Sequence, residues 1–243
     1  MKKQRKTKKS LNGNNSKISI IFNCIQTLLI IILLIHMWGS TETPNKTTEP
    51  VVEETTKKSE NFVFLGDSIT DWYPFYDFFS DDTPIINSGF AGYNTKALLN
   101  HDLYDTVYKY NPTKVFIQIG TNDIGTSDSS VEVAYNNISK IVENIKENRP
   151  AAEIYVESIY PVNQDCEKTN KEATGNRDNH DIIELNKRLK DFCENNDAEY
   201  VDIYNALSDE VGNLKSEYTT DGLHLSIDGY SKVSKVLKKY IEE

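Results

Sequence analysis

Four short segments of the chain concentrate residues that can do chemistry. They are Gly66-Asp67-Ser68-Ile69-Thr70, Asn87-Ser88-Gly89-Phe90-Ala91-Gly92, Gly120-Thr121-Asn122-Asp123 and Asp221-Gly222-Leu223-His224. A serine hydroxyl is a weak nucleophile unless a base takes its proton, and that base must be oriented by a third group. Ser68 supplies the hydroxyl. Of the four histidines, only His224 has a carboxylate three residues before it, in Asp221. One turn can then bring the carboxylate to one ring nitrogen while the other nitrogen faces the serine. His36 sits in an apolar run, and His101 and His180 lie in amphipathic or polar surroundings without such a partner. Attack on an acyl carbonyl also needs donors for the oxyanion. The backbone N–H groups of Ser68 and Gly92 and the side-chain amide of Asn122 are of the right type, and a glycine backbone can approach a substrate closely. Asp67 and Asp123, adjacent to Ser68 and Asn122, are expected to support them from behind.

Taken singly, each segment has a plainer reading. Gly-Asp-Ser can be an ordinary turn, Thr-Asn-Asp a helix cap, and Asp-Gly a tight turn. Their placement argues otherwise, because each follows an apolar run or precedes a helix. The runs at 61–66, 84–88, 114–120, 153–159 and 199–203 read as strands. Between them, 130–148 spaces Val131, Ala134, Ile138, Ile141 and Ile145 by three and four residues, which predicts a helix with one buried face. The same pattern recurs at 181–195 and 231–241. Strands alternating with helices imply right-handed β-α-β units and a mostly parallel sheet covered on both faces. Ligands of such sheets sit beyond the carboxyl ends of the strands.

With these blocks in this order, residues 61–243 resemble the SGNH, or GDSL-type, hydrolases. The first block, GDSIT, departs from GDSL by Ile69, a conservative apolar change. The resemblance implies a flavodoxin-like three-layer α/β/α sandwich on a five-stranded parallel sheet. It also implies Ser68 as nucleophile, His224 as base and Asp221 as its orienter, with Gly92 and Asn122 as oxyanion donors. Gly92 is favoured over Gly89 because the family's donor usually sits five residues after the asparagine, here Asn87. The implied activity is that of a serine carboxylic-ester hydrolase cleaving O-acyl esters through an acyl-serine intermediate. O-acetyl groups of an extracellular or cell-envelope carbohydrate are the expected substrate. A lipase or lysophospholipase activity, or O-acyl transfer to a sugar hydroxyl, remains open. A non-catalytic surface-binding domain is a further alternative, but it predicts an eroded triad, and every member is present. No cofactor is implied, and the sequence carries no His-x-x-x-His or Cys-x-x-Cys metal motif.

The remaining features concern location. Residues 1–17 hold seven Lys or Arg and no acid, leaving 20 basic against 37 acidic residues in the rest, a net charge of about −17. A body this acidic argues against nucleic acid as a partner. Residues 18–38 contain no Asp, Glu, Lys or Arg over 21 positions, the length of a membrane-spanning helix. With the basic cluster before it, this segment is expected to anchor an extracytoplasmic catalytic domain (a secreted form after signal cleavage is the alternative). The Thr-, Glu- and Pro-rich 39–60 reads as a disordered stalk. Two features of 61–243 stand apart from the blocks. Six aromatics within 71–79 read mainly as core packing of a first helix, with stacking on a sugar or lining of an acyl pocket as alternatives. The polar loop 163–179 is expected on the active-site side. Cys166 and Cys193 are expected to be free thiols, because helix length separates them by more than a disulfide can span.

Overall fold

A computed structural model describes residues 60–126 and 130–242. The expected basic head, membrane segment and most of the stalk lie outside these residues. Among the described residues, no helix is long and apolar enough to cross a membrane.

Five strands form one sheet: β1 (Phe62–Gly66), β2 (Ile85–Gly89), β3 (Lys114–Gln118), β4 (Glu153–Glu157) and β5 (Glu199–Val201). Every pairing is parallel and the order is β2-β1-β3-β4-β5, the flavodoxin-like arrangement. The register aligns Gly66 with Gly89 and with Gln118, so the first three strands end level. The order switches at β1, and the crevice beyond it is where such sheets hold ligands.

Alternation along the strands divides the core between two faces. Val63, Leu65, Val115 and Ile117 pack on one side with Ile138 and Ile141 of α4 (Val131–Asn148) and Leu185 and Leu189 of α6 (Asn179–Asn195). Phe62, Phe64 and Phe116 pack on the other with Val233 and Leu237 of α8 (Ile227–Ile241). Rings stack across the strands on that second face, Phe64 to Phe116 at 4.4 Å and Phe116 to Tyr155 at 4.7 Å. The long helices are α4 (Val131–Asn148), α6 (Asn179–Asn195) and α8 (Ile227–Ile241). Each starts at the side chain of a capping residue, Ser130, Asp178 or Ser226, that accepts a backbone N–H of the first turn.

Short helices fill the loops: α1 (Ser68–Asp71), α2 (Thr95–Asn100), α3 (Leu103–Thr106), α5 (Lys171–Thr174) and α7 (Tyr204–Leu207). The expected first helix does not run through 71–79. Pro74 cannot continue a helix, so α1 stops at Asp71 and a separate 3-10 turn spans Phe75–Asp77. Burial of the six aromatics is accordingly uneven. Tyr73, Phe75 and Phe79 are core residues, whereas Trp72 and Tyr76 are exposed. Cys166 and Cys193 are both free thiols.

Candidate functional site

The site forms where β1 gives way to α1. Asp67 caps that helix by accepting the Ile69 N–H at 2.9 Å, which leaves Ser68 as the first helical residue. An N–H at that position has no intrahelical acceptor. Ser68 is nearly buried, at 6% exposure, and its Oγ lies 3.1 Å from His224 Nε2 across 156 residues of sequence. The other ring nitrogen, Nδ1, lies 2.7 Å from Asp221 Oδ2. Ser68, His224 and Asp221 thus form one continuous hydrogen-bonded line.

The turn that carries His224 is held from several sides. Asp221 Oδ1 accepts the backbone N–H groups of Leu223 at 2.9 Å and His224 at 2.7 Å. Thr219 Oγ1 accepts the Gly222 N–H and donates to the His224 carbonyl, both at 2.8 Å. Gly222 has φ +90°, and a Cβ there would lie 2.4 Å from the Asn163 carbonyl oxygen. Only glycine meets both demands. The polar loop 163–179 packs against this turn, with the Asn163 N–H donating to the Gly222 carbonyl and the Asn170 N–H to the Asp221 carbonyl, each at 2.8 Å. Burial is the largest single influence on Asp221 and raises its pKa. The hydrogen bonds from the His224 ring and from the His224 and Leu223 backbones together outweigh it and hold the carboxyl below its ordinary value.

The candidate oxyanion donors meet on neighbouring strand ends. Gly92, beyond β2, has φ +79°, and a Cβ built on it would touch nothing within 4 Å. Its conformation requires glycine although space does not. Asn122, beyond β3, donates from Nδ2 to the carbonyl of Tyr93, the residue after Gly92, at 2.9 Å. The same carboxamide accepts from Arg177 Nη2 at 2.7 Å. Asp123 binds the backbone N–H and the hydroxyl of Thr95 at 2.9 and 2.7 Å, tying the third block to α2. Asn87 works in the same way on the first block. Its side-chain amide reaches the Thr70 and Asp71 carbonyls at 2.9 and 3.1 Å.

Asp67 is fully buried, and its Oδ2 has no hydrogen-bond partner among the described residues. Burial is the main reason its pKa rises to about 7; the Ile69 N–H and the Arg177 charge oppose the rise. His101 packs at a tilt against Phe90 at 4.7 Å and His180 is exposed beside Asp181, so neither joins the Ser68 line. Among the described residues, no group of three or more His, Cys, Asp or Glu side chains could hold a metal ion.

One residue at the site escaped sequence reasoning, and a second was covered there only as one of the six aromatics within 71–79. Arg177 is the only arginine of the loop 163–179, and its donors reach the Thr121 carbonyl and Asn122. Nothing in its local sequence marks it, because its partners lie 55 and 56 residues away. Trp72 is half-exposed, at 54%, with its ring 4.4 Å from the His224 imidazole. Its position four residues after Ser68 is a usable signal, obscured by the aromatics around it.

The sequence model of GDSL-like lipases and acylhydrolases matches residues 64–232, and this interval contains all four chemical segments. The chain belongs to the GDSL-like lipase/acylhydrolase family. A similar solved structure comes from Streptococcus pneumonia and is provisionally described as a platelet activating factor. It is 39% identical, covers 77% of this chain and 86% of its own, and has a TM-score of 0.70. Among curated proteins, the chain is 30% identical over 183 residues to an N-acylneuraminate cytidylyltransferase of Escherichia coli, covering 75% of this chain and 40% of that protein. It is 25% identical over 142 residues to a multidomain esterase of Ruminococcus flavefaciens, covering 57% of this chain and 16% of the esterase. This family member therefore spans less than half the length of the curated relatives it matches.

Proposed function

We propose that this protein is a serine carboxylic-ester hydrolase that removes O-acyl groups, O-acetyl above all, from a carbohydrate. The observation that carries the reading is the Ser68–His224–Asp221 line, with contacts of 3.1 and 2.7 Å. In this mechanism Ser68 Oγ attacks the acyl carbonyl carbon while its proton passes to His224 Nε2. Asp221 holds Nδ1–H and stabilises the imidazolium. Negative charge on the former carbonyl oxygen falls to the N–H groups of Ser68 and Gly92 and to Asn122 Nδ2–H. Collapse breaks the ester C–O bond, and the leaving alkoxide takes the proton from His224. A water molecule, deprotonated by the same imidazole, then releases the acyl group as a carboxylic acid and restores Ser68.

The carbohydrate half of the reading rests on the surroundings. The polar loop 163–179 borders the His224 turn, and a half-exposed Trp72 beside the imidazole offers a flat face to a sugar ring. The relative named for an N-acylneuraminate supports the carbohydrate half, and the relative named as an esterase supports the ester half. Location completes the proposal: the apolar 18–38 segment behind a basic head would hold the catalytic residues outside the membrane.

A chain-length series of p-nitrophenyl esters tests the reading. Turnover concentrated on acetate and lost in Ser68→Ala supports it. A preference for long acyl chains would transfer it to lipid esters, and turnover that survives Ser68→Ala would end it.

A further inference from the structure

We infer that Arg177 is a positioning residue for the oxyanion site, acting through Asn122; the inference rests on the serine-hydrolase reading above. A primary carboxamide can be turned either way, and only one orientation presents N–H to a developing oxyanion. Here both ends of the Asn122 amide are held. Its Oδ1 accepts from Arg177 Nη2 at 2.7 Å, and its Nδ2 donates to the Tyr93 carbonyl at 2.9 Å. The flipped amide would set its NH2 against a guanidinium and its oxygen against a carbonyl. In the orientation held, one Nδ2 proton is committed to Tyr93 and the second is left for substrate. A guanidinium on the amide oxygen also draws electron density from the nitrogen, which strengthens that second N–H as a donor.

Arg177 is itself fixed with little freedom. Its Nε donates to the Thr121 carbonyl at 2.8 Å, and its Nη1 donates to the carbonyls of Ala173 and Thr174, both at 2.9 Å. Those last two contacts satisfy carbonyls at the end of α5. The guanidinium therefore joins the loop 163–179, which braces the Asp221–His224 turn, to the block that carries Asn122. Backbones are close here as well: a Cβ on Gly125 would lie 2.5 Å from the Asn176 carbonyl carbon. A lysine could not reproduce this, since a single ammonium cannot meet Oδ1 and three carbonyls in the planar geometry of the fork.

A double-mutant cycle on the full chain separates positioning from bulk stability. The kcat and KM for p-nitrophenyl acetate are measured for wild type, Arg177→Met, Asn122→Ala and the double variant, with Ser68→Ala as control and thermal midpoints alongside. The expected result is a kcat loss of about tenfold or more in Arg177→Met with KM nearly unchanged. The same substitution is expected to cost almost nothing further in the Asn122→Ala background, and Arg177→Lys should recover part of the loss. Losses that multiply in the double variant would overturn the assignment, because Arg177 would then act independently of Asn122. Should Arg177→Met lose its cooperative thermal transition, the cycle is run with Arg177→Lys, and the same two outcomes decide it. Full turnover in Ser68→Ala would instead remove the underlying hydrolase reading, and the Arg177 inference with it.

Discussion

Asp221 grips His224 at two points, Oδ2 on the ring Nδ1 and Oδ1 on the backbone N–H, each at 2.7 Å. The carboxylate thus fixes both where the ring stands and which tautomer it adopts. Asn in place of Asp221 offers an oxygen to only one of these two donors. Asp221→Asn is expected to lower kcat by about 10³- to 10⁴-fold with the fold intact. Steady-state kinetics beside a far-UV spectrum would check this, and a loss below about tenfold would show that the ring is oriented by other contacts.

Asn122 contributes one of three proposed oxyanion donors, the others being backbone groups that no side-chain change removes. Asn122→Ala should cost about 10²- to 10³-fold in kcat with little change in KM. A rise in KM at constant kcat would instead assign Asn122 to ground-state binding of the substrate.

Trp72 sets its ring 4.4 Å from the imidazole of His224, the group that returns a proton to the leaving alkoxide in the proposed mechanism. Trp72→Ala should raise KM roughly threefold to tenfold for acetylated sugars, the scale of one stacking contact. It should have much less effect on ethyl acetate, whose alcohol is too small to stack. The thermal midpoint should hardly move, because the side chain is more than half exposed. Equal KM changes for both esters would remove Trp72 from alcohol recognition.

Sequence and structure part company at identifiable places. The four chemical blocks were legible because each follows an apolar run or opens a helix, where side-chain type and position are both constrained. The long helices were legible from their apolar spacing, although α8 begins at Ile227, four residues ahead of the expected 231. The aromatic stretch misled because its composition suits a helix while Pro74 divides it. Helices α2 and α3 are too short to show a period. Arg177 was invisible for a different reason: its role is set by tertiary contacts across more than fifty residues, which no local pattern encodes.

Glu157 and Asp67 are both fully buried, and the Asp67 carboxyl adds to the rise in the pKa of Glu157. Burial is the larger cause, and it lifts Glu157 from 4.5 to about 7 against the opposing hydrogen bond from the Tyr160 hydroxyl. A carboxyl whose folded pKa is raised keeps its proton while the unfolded chain loses it. Stability from these two groups therefore falls as pH rises from about 4 to about 7 and levels off above that. The urea midpoint should drop between pH 5 and pH 8 in the wild type and drop less in Glu157→Gln. An unchanged slope in that variant would show that Glu157 is already ionised at pH 5.

The central claim is that Ser68 is a nucleophile activated by His224. Peptide-level mass spectrometry after exposure of the full chain to a fluorophosphonate tests it most directly. The account predicts a single adduct on the Ser68 hydroxyl, formed rapidly in the wild type and at least about 10³-fold more slowly in His224→Ala. An unlabelled Ser68 in protein that still cleaves p-nitrophenyl acetate, or labelling unaffected by His224→Ala, would contradict it.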